Sequence, residues 1–511
     1  MKAKPAPLSL EGTSPVAIPA ELAAWLSAPK GAWIGGEPVF PKAEKFFTTV
    51  NPATGEPIAR LAEAGREMVE LAIATARRTF DAGTWSGQSY ERRADSLRKL
   101  SQLVMEHRSA LAILESLDTG KPIRESYEGD ILRAASNFDF FASQNEAGVE
   151  RVYESQGNRH VARREPLGVV ALVTPWNLPL YLATWKIAPA LLMGNSIVLK
   201  PSELTPLTAA YFAELTAEAG LPPGVFNVVH GFGEDSAGAF LVGHPGINAV
   251  SFTGETTTGK AIMKAASPHL TRVSFELGGK GALVVFADAD WERAADEAVR
   301  AGFRNQGEIC LACPRVYIEG AIYDRFKQRF LAGVERLRMG DPLNPQTTLG
   351  ALISTDHRSK VLSYAEIAER EGHVLTGSAA VTKDLTSFFA PFVVEGLPAN
   401  SRVNHEEVFG PLVTLNRFER EDEVIALVND TPYGLSSSVW TGDRARAERV
   451  AAKIRIGLVW INCWFVRDLR VPFGGQKKSG IGREGGTHSL DFFSEWKSIC
   501  FFGEGKGNSP C

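Results

Sequence analysis

A doubly wound α/β fold with a mostly parallel sheet is expected from three features: short unbroken apolar runs, helical segments between them, and turn residues that punctuate both. The runs are LGVVALV from Leu167, SIVLK from Ser196, VFNVV from Val225, NAVSF from Asn248 and GALVVF from Gly281. Each is apolar at consecutive positions, as a strand covered on both faces requires. Between the second and third runs, Thr205 is placed to cap a helix that opens at Pro206 and stops at Gly220, ahead of Pro222 and Pro223. In the segment after residue 60, Val69, Ala72, Ile73, Ala76 and Phe80 recur at helical spacing, so the N-terminal part is read as opening with an amphipathic helix. An open sheet of this kind binds ligands beyond the carboxyl ends of its strands. The residues just after each run are therefore the ones to search.

The chain has 511 residues, too many for one core, and its 44% hydrophobic and 22% charged residues are those of a folded protein of two or three domains. A net charge of -4, with no basic run longer than a pair such as Arg163–Arg164, offers no field for nucleic acid. The opening segment breaks its apolar residues with Pro, Ser, Glu and Gly, unlike a signal peptide, and no apolar run approaches the ~20 residues of a membrane span. A cytoplasmic protein without a membrane partner is expected. Five cysteines (Cys310, Cys313, Cys463, Cys500, Cys511) are too few and odd in number for a disulfide framework. The tail FFGEGKGNSPC is read as frayed.

TPWNLPL follows the first run and sets Trp176 and Asn177 at a strand end, where the Asn177 amide can donate to a developing oxyanion or simply satisfy a turn. KPSE follows the second, with Lys200 and Glu203 where a nucleotide ribose would lie; a carboxylate there accepts from ribose hydroxyls and repels a 2′-phosphate, favouring NAD over NADP. A solvated surface turn is the commoner reading of four such residues alone. FTGETTTGKA follows the fourth. Gly254, Gly259 and Lys260 fit a P-loop, but Ala261 stands where its magnesium-binding Ser or Thr belongs, so the glycines suit a helix N-terminus against a pyrophosphate better. No strict GxGxxG occurs; the nearest is GFGEDSAG, which contains Gly233. RVSFELGGKG supplies Glu276, and NQGEICLACPR supplies Cys310, which as a catalytic thiol needs donors or a base nearby and otherwise is an inert buried one. Cys310 and Cys313 form a CxxC, but no second CxxC, HExxH or histidine cluster completes a zinc site, so no metal is expected.

Taken together, TPWNLP, KPSE, FTGET, FELGGK, GEIC and EEVFGP, in this order over nearly the whole chain, resemble the aldehyde dehydrogenase superfamily. The resemblance implies an aldehyde dehydrogenase-like fold: a Rossmann-type NAD-binding domain over 20–147 and 167–278, an α/β catalytic domain over 279–478, and a small β oligomerisation segment over 148–166 and 479–505. It implies NAD as cofactor, a small-molecule aldehyde as substrate, and a homodimer or homotetramer. By resemblance Cys310 is the nucleophile, Asn177 and the Cys310 N–H hold the oxyanion, and Glu276 is the base that hydrolyses the thioester to the free acid. Trp176, Lys200, Glu203, Gly233, Thr253, Gly254 and Glu255 match the adenosine and pyrophosphate side, and Glu407 and Phe409 the nicotinamide side.

Towards the C-terminus, NCWFVRDLRVPFGGQKKSGIGREGGTHSLDFF is similar to the 2-hydroxymuconic and 2-aminomuconic semialdehyde dehydrogenases, as is FTGET with Glu255. That likeness implies that Arg467 and Arg133 face the substrate and hold a carboxylate remote from the aldehyde, with Arg470 a second candidate in the loop and Leu178 and Trp185 lining the tunnel. Other aromatic or aliphatic aldehydes, or a catalytically silent scaffold, are the alternatives. Three positions depart from the pattern. Glu308 replaces a neutral Gln and is expected to raise the thiol pKa unless its side chain points away. Cys313 is unusual, and oxidation to a Cys310–Cys313 disulfide would switch the enzyme off. Gly281 stands where Asn or Ser is usual, which the sequence does not explain.

Overall fold

The computed structural model describes residues 7–42, 45–144, 148–382 and 387–505; residues 506–511 of the tail, with Cys511, lie outside the described residues. Four of the five apolar runs build one sheet. Phe226–Val228, Ser196–Lys200, Val169–Val173 and Ala249–Thr253 lie side by side and parallel, and Arg272–Glu276 adds a fifth parallel strand. Val169–Val173 is buried along its whole length, and each such Val or Leu contributes roughly 1.5–3 kcal/mol. Antiparallel strands Ala32–Ile34 and Glu37–Val39 extend one edge, and Gly480–Ile481 closes the other by pairing with Arg272–Glu276.

The run GALVVF does not continue this sheet. Its strand, Ala282–Val285, lies inside a second, seven-stranded sheet in the order His373–Thr376, Phe392–Glu395, Leu412–Phe418, Arg315–Glu319, Ala282–Val285, Ser436–Trp440, Leu458–Ile461. All are parallel except the first, which is antiparallel to its neighbour. A third, antiparallel sheet joins Arg151–Ser155, Asn158–Pro166 and Ser494–Phe501. Among the described residues no helix is long and apolar enough to cross a membrane.

The amphipathic helix is Arg66–Asp81 and buries Met68, Val69, Ala72, Ile73 and Ala76. It does not open the chain, since helix Ala20–Ser27 and two strand pairs precede it. Helix Leu207–Glu218 ends before Gly220, whose φ of 81° fits glycine. Thr205 does not cap it: its Oγ1 is buried without a partner, and Pro206 takes the N-cap position with no side-chain acceptor. Asp118 Oδ2 accepts from the Leu207 N–H at 2.9 Å instead, so a carboxylate distant in sequence does the capping.

Candidate active site

A cavity of about 150 Å³ opens beyond the carboxyl ends of the first sheet's strands. Its lining brings together Trp176, Asn177, Thr253, Gly254, Glu255, Cys310, Glu407 and Phe409 with Leu182, Leu277, Gly278, His357 and Lys360. A larger cavity, about 650 Å³, opens over Arg315, Tyr317 and Asn416 and contains none of the predicted residues.

Cys310 follows a kinked turn in which Asn305, Gln306 and Gly307 have φ of 48°, 55° and 74°. A Cβ on Gly307 would lie 2.3 Å from the Gly410 carbonyl oxygen, so only glycine fits there. The turn is held by side-chain amides. Asn305 Nδ2 donates to the carbonyls of Asn177 (3.3 Å) and Glu308 (3.1 Å), and Asn177 Nδ2 donates to Glu308 at 2.8 Å. An amide nitrogen carries two hydrogens, so Asn177 keeps one for the cavity it shares with Cys310. Burial, then the charges of Glu276 and Glu407, push the Cys310 thiol up to about 12, with Arg467 opposing them.

Glu276 ends strand Arg272–Glu276 and pairs with Gly480. It is buried, and neither carboxylate oxygen has a hydrogen-bond partner. Burial, then the charge of Glu484, push its carboxyl well above the usual range, with Lys186, Arg467 and Arg483 opposing. A carboxylate held this way is a stronger base than one in water. Lys186 and Glu484, themselves a buried ion pair, were not singled out from sequence. Nothing in the local pattern of either marks it as buried.

The Glu308 side chain points away from the nucleophile. Its Oε1 accepts from the Ile353 N–H at 3.0 Å and its Oε2 lies 3.5 Å from Gln306 Nε2. Burial pushes this carboxyl well above the usual range, which favours its neutral form. The exception stated for Glu308 therefore applies, and the carboxylates whose charges act on Cys310 are Glu276 and Glu407. Cys313 is fully buried among Leu311, Val316 and Trp464, with its thiol pushed up to about 12 by burial, the setting of an unreactive thiol. Both cysteines are free. Gly281 now has a physical account, since a Cβ there would lie 2.2 Å from the Ala312 carbonyl oxygen and 3.3 Å from Cys313 Cα.

The cofactor side can be tested without a ligand. Helix Thr256–Ala266 starts after Glu255 with no side-chain cap, leaving its first N–H groups open to an anion. Thr253 Oγ1 is buried without a partner, and a Cβ on Gly278 would meet Glu407 Oε2 at 2.2 Å. Lys200 pairs with Glu203 at 2.9 Å, and Gly233 sits in an open turn with nothing within 4 Å of a Cβ. Glu407 Oε1 accepts from the Gly279 N–H at 2.6 Å, and burial lifts this carboxyl to about 7. Phe409, at φ 60°, meets Trp176 edge-on at 5.3 Å, and its carbonyl lies 2.7 Å from His357 Nε2. Uncapped amides, an orphan hydroxyl and a glycine cradle suit a dinucleotide. His357 and Lys360 join this side, and the sequence reading missed both.

On the substrate side, Arg467 donates to the Tyr181 hydroxyl at 3.0 Å and lies 4.0 Å from the Phe473 ring centre and 5.1 Å from that of Trp185. Arg133, on helix Ile131–Ala142, is half-buried and, among the described residues, has no side-chain hydrogen bond or ion pair. Leu178 packs with Tyr181 and Leu182, and Trp185 is buried with its Nε1 unpartnered. Arg470 is corrected: its side chain is 77% exposed and pairs with Asp468 on the surface.

A model of the aldehyde dehydrogenase family matches residues 40–499. The chain belongs to that family. It is 46% identical over 480 residues to a 2-hydroxymuconic semialdehyde dehydrogenase from Pseudomonas sp. strain CF600, covering 92% of this chain and 98% of the relative. It is 43% identical to a 2-aminomuconic 6-semialdehyde dehydrogenase from Pseudomonas sp., covering 92% and 96%. Among solved structures, the indole-3-acetaldehyde dehydrogenase of P. syringae, in complex with NAD+ and IAA, superposes with a TM-score of 0.91 at 36% identity, covering 94% of this chain and 98% of the other. Betaine aldehyde dehydrogenase from Staphylococcus aureus, in complex with NAD+, gives 0.90 at 39%, covering 95% and 98%.

Proposed function

We propose that this NAD-dependent aldehyde dehydrogenase oxidises an aldehyde that carries a carboxylate at its far end, such as 2-hydroxymuconic or 2-aminomuconic semialdehyde, to the corresponding acid. The observation that carries the substrate class is Arg467, a guanidinium whose charge reaches both Cys310 and Glu276 and which no carboxylate neutralises among the described residues. Arg133 is a second free guanidinium for the same carboxylate.

In the first half of the reaction the Cys310 thiolate attacks the aldehyde carbon. A C–S bond forms and the carbonyl pair moves to oxygen, where the free Asn177 N–H and the Cys310 N–H receive it. NAD, when bound, would supply the acceptor for the hydride that leaves this carbon as the oxygen pair returns to re-form the C=O bond, which leaves a thioester on Cys310. Thr253 and the open amides of helix Thr256–Ala266, which starts just after Glu255, would hold its pyrophosphate side, Lys200 and Glu203 its adenosine ribose, and Glu407 and Phe409 its nicotinamide side. In the second half Glu276 takes a proton from water, whose oxygen attacks the thioester carbon. The C–S bond breaks, sulfur leaves as thiolate, and the acid departs.

The division into a cofactor domain (20–147, 167–278), a catalytic domain (279–478) and an oligomerisation segment (148–166, 479–505) belongs to this proposal. So do a cytoplasmic location and a homodimer or homotetramer. Exposed Val152, Tyr153 and Trp496 on the three-stranded sheet, with exposed Val149 just before it, support self-association. The test is NADH formation with 2-hydroxymuconic semialdehyde beside benzaldehyde and acetaldehyde, with wild type and Arg467→Ala. Preference for the semialdehyde that disappears in the variant is expected. Equal oxidation of all three, unchanged in the variant, would leave an aldehyde dehydrogenase with a different substrate.

A further inference from the structure

We propose that Lys121 is a positioning residue for the oxyanion site: its ammonium fixes the Asn177 backbone carbonyl and thereby aims the Asn177 side-chain amide at the reacting oxygen. The inference rests on the reading of Asn177 as the oxyanion donor.

Helix Arg108–Thr119 ends on Gly120, at φ 77°, where a Cβ would lie 2.7 Å from the Ala351 carbonyl oxygen. That left-handed turn carries the next residue inward, and the whole Lys121 side chain is buried. Its Nζ donates to the Asn177 carbonyl and to Asp130 Oδ2, both at 2.7 Å, with Glu115 Oε1 at 3.6 Å. Glu115 is also fully buried. Removing an ammonium and two carboxylates from water costs several kcal/mol per ion before their attraction returns any of it, so a cluster of this kind is poor evidence of a stability role.

The backbone is also adapted to it. Asp130 comes from a π-helical turn, Ser126–Asp130, set between helix Ile123–Glu125 and helix Ile131–Ala142. Such turns mark functional sites more often than ordinary helix does. The cluster leads to one carbonyl. With Lys121 and Asn305 on the Asn177 carbonyl and Glu308 on its Nδ2, both ends of the residue are fixed, and one amide hydrogen remains for the cavity.

The test uses the full-length enzyme saturated with NAD and single-turnover NADH formation from benzaldehyde. Lys121→Met, which keeps the length and loses the donor, is expected to slow that step by about tenfold to a hundredfold, the scale for a misplaced catalytic donor. NAD affinity and the rate of Cys310 alkylation by iodoacetamide, which develops no oxyanion, stay within about twofold. In an Asn177→Ala background, Lys121→Met changes the rate by less than about twofold. A loss of the same size in both backgrounds overturns the proposal. Should Lys121→Met fail to fold because two buried carboxylates are left unpaired, Lys121→Met with Asp130→Asn and Glu115→Gln removes all three charges and carries the same expectations. If Asn177→Ala alone leaves the single-turnover rate intact, the reading of Asn177 fails and the role of Lys121 falls with it.

Discussion

Replacing Glu276 by Gln should separate the two halves of the reaction and move them in opposite directions. The substitution keeps the shape and removes the charge. Cys310 has its thiol pushed up to about 12, first by burial and second by Glu276; near pH 8 such a thiol is only about one part in ten thousand thiolate. Removing the second cause lowers the thiol pKa, while burial keeps it above the ordinary value. A complete return from about 12 to 9.0 would raise the thiolate roughly a thousandfold. The share due to this one buried charge is on the order of 1.4 kcal/mol, so alkylation by iodoacetamide should quicken about tenfold. Turnover moves the other way, because thioester hydrolysis loses its base, and should fall by roughly a hundredfold to ten-thousandfold. In stopped flow the variant should release NADH in one rapid turnover and then stall as the acyl-enzyme accumulates. Slower alkylation together with no burst would show that Glu276 is needed to deprotonate Cys310, and would refute this division of labour.

Three further outcomes follow from the geometry. Hydrolysis needs ionised Glu276, whose carboxyl is raised by burial and by Glu484 and lowered by Lys186, so Glu484→Gln should shift the rising limb of the kcat–pH profile to lower pH; a limb that stays or moves up would refute the coupling. Arg467→Ala should lower kcat/KM for a carboxylate-bearing semialdehyde about tenfold to a hundredfold, the worth of a hydrogen bond to a charged group, and affect acetaldehyde far less, as measured by initial rates with both substrates. In Gly281→Ala the new Cβ meets the Ala312 carbonyl oxygen at 2.2 Å, so denaturant melts should show a loss of about 1–3 kcal/mol and turnover should fall as the Cys310 loop is displaced; wild-type stability would show that the loop gives way freely.

The parallel strands were legible because a strand buried on both faces is mainly apolar, as Val169–Val173 is throughout and Ala249–Thr253 is apart from Ser251 and Thr253. Which sheet a run joins was not legible, since the pattern of Ala282–Val285 is the same in either sheet. Arg272–Glu276 escaped notice because its first two residues are only half-buried. Cys310, Asn177, Glu407 and Phe409 were legible through ordered motifs, and the structure brings them to one cavity. Lys121, Lys186 and Glu484 were not, because Lys121 meets the Asn177 carbonyl, and Lys186 pairs with Glu484, across long stretches of chain. Thr205 shows the same limit in reverse, a suitable cap displaced by Asp118 from a distant helix.

The pairing of Gly480 with Glu276 bears on the order in which the molecule comes off the ribosome. The carboxylate is made well before the strand beside it and before Glu484, which adds to its basicity. Until they emerge, Glu276 is paired on one side only, with Thr253. A nascent chain can thus carry its reactive thiol and its cofactor cleft and still lack a tuned base. The tuning of the base waits on residues 480 to 484, and a chain broken off before residue 480 folds without it.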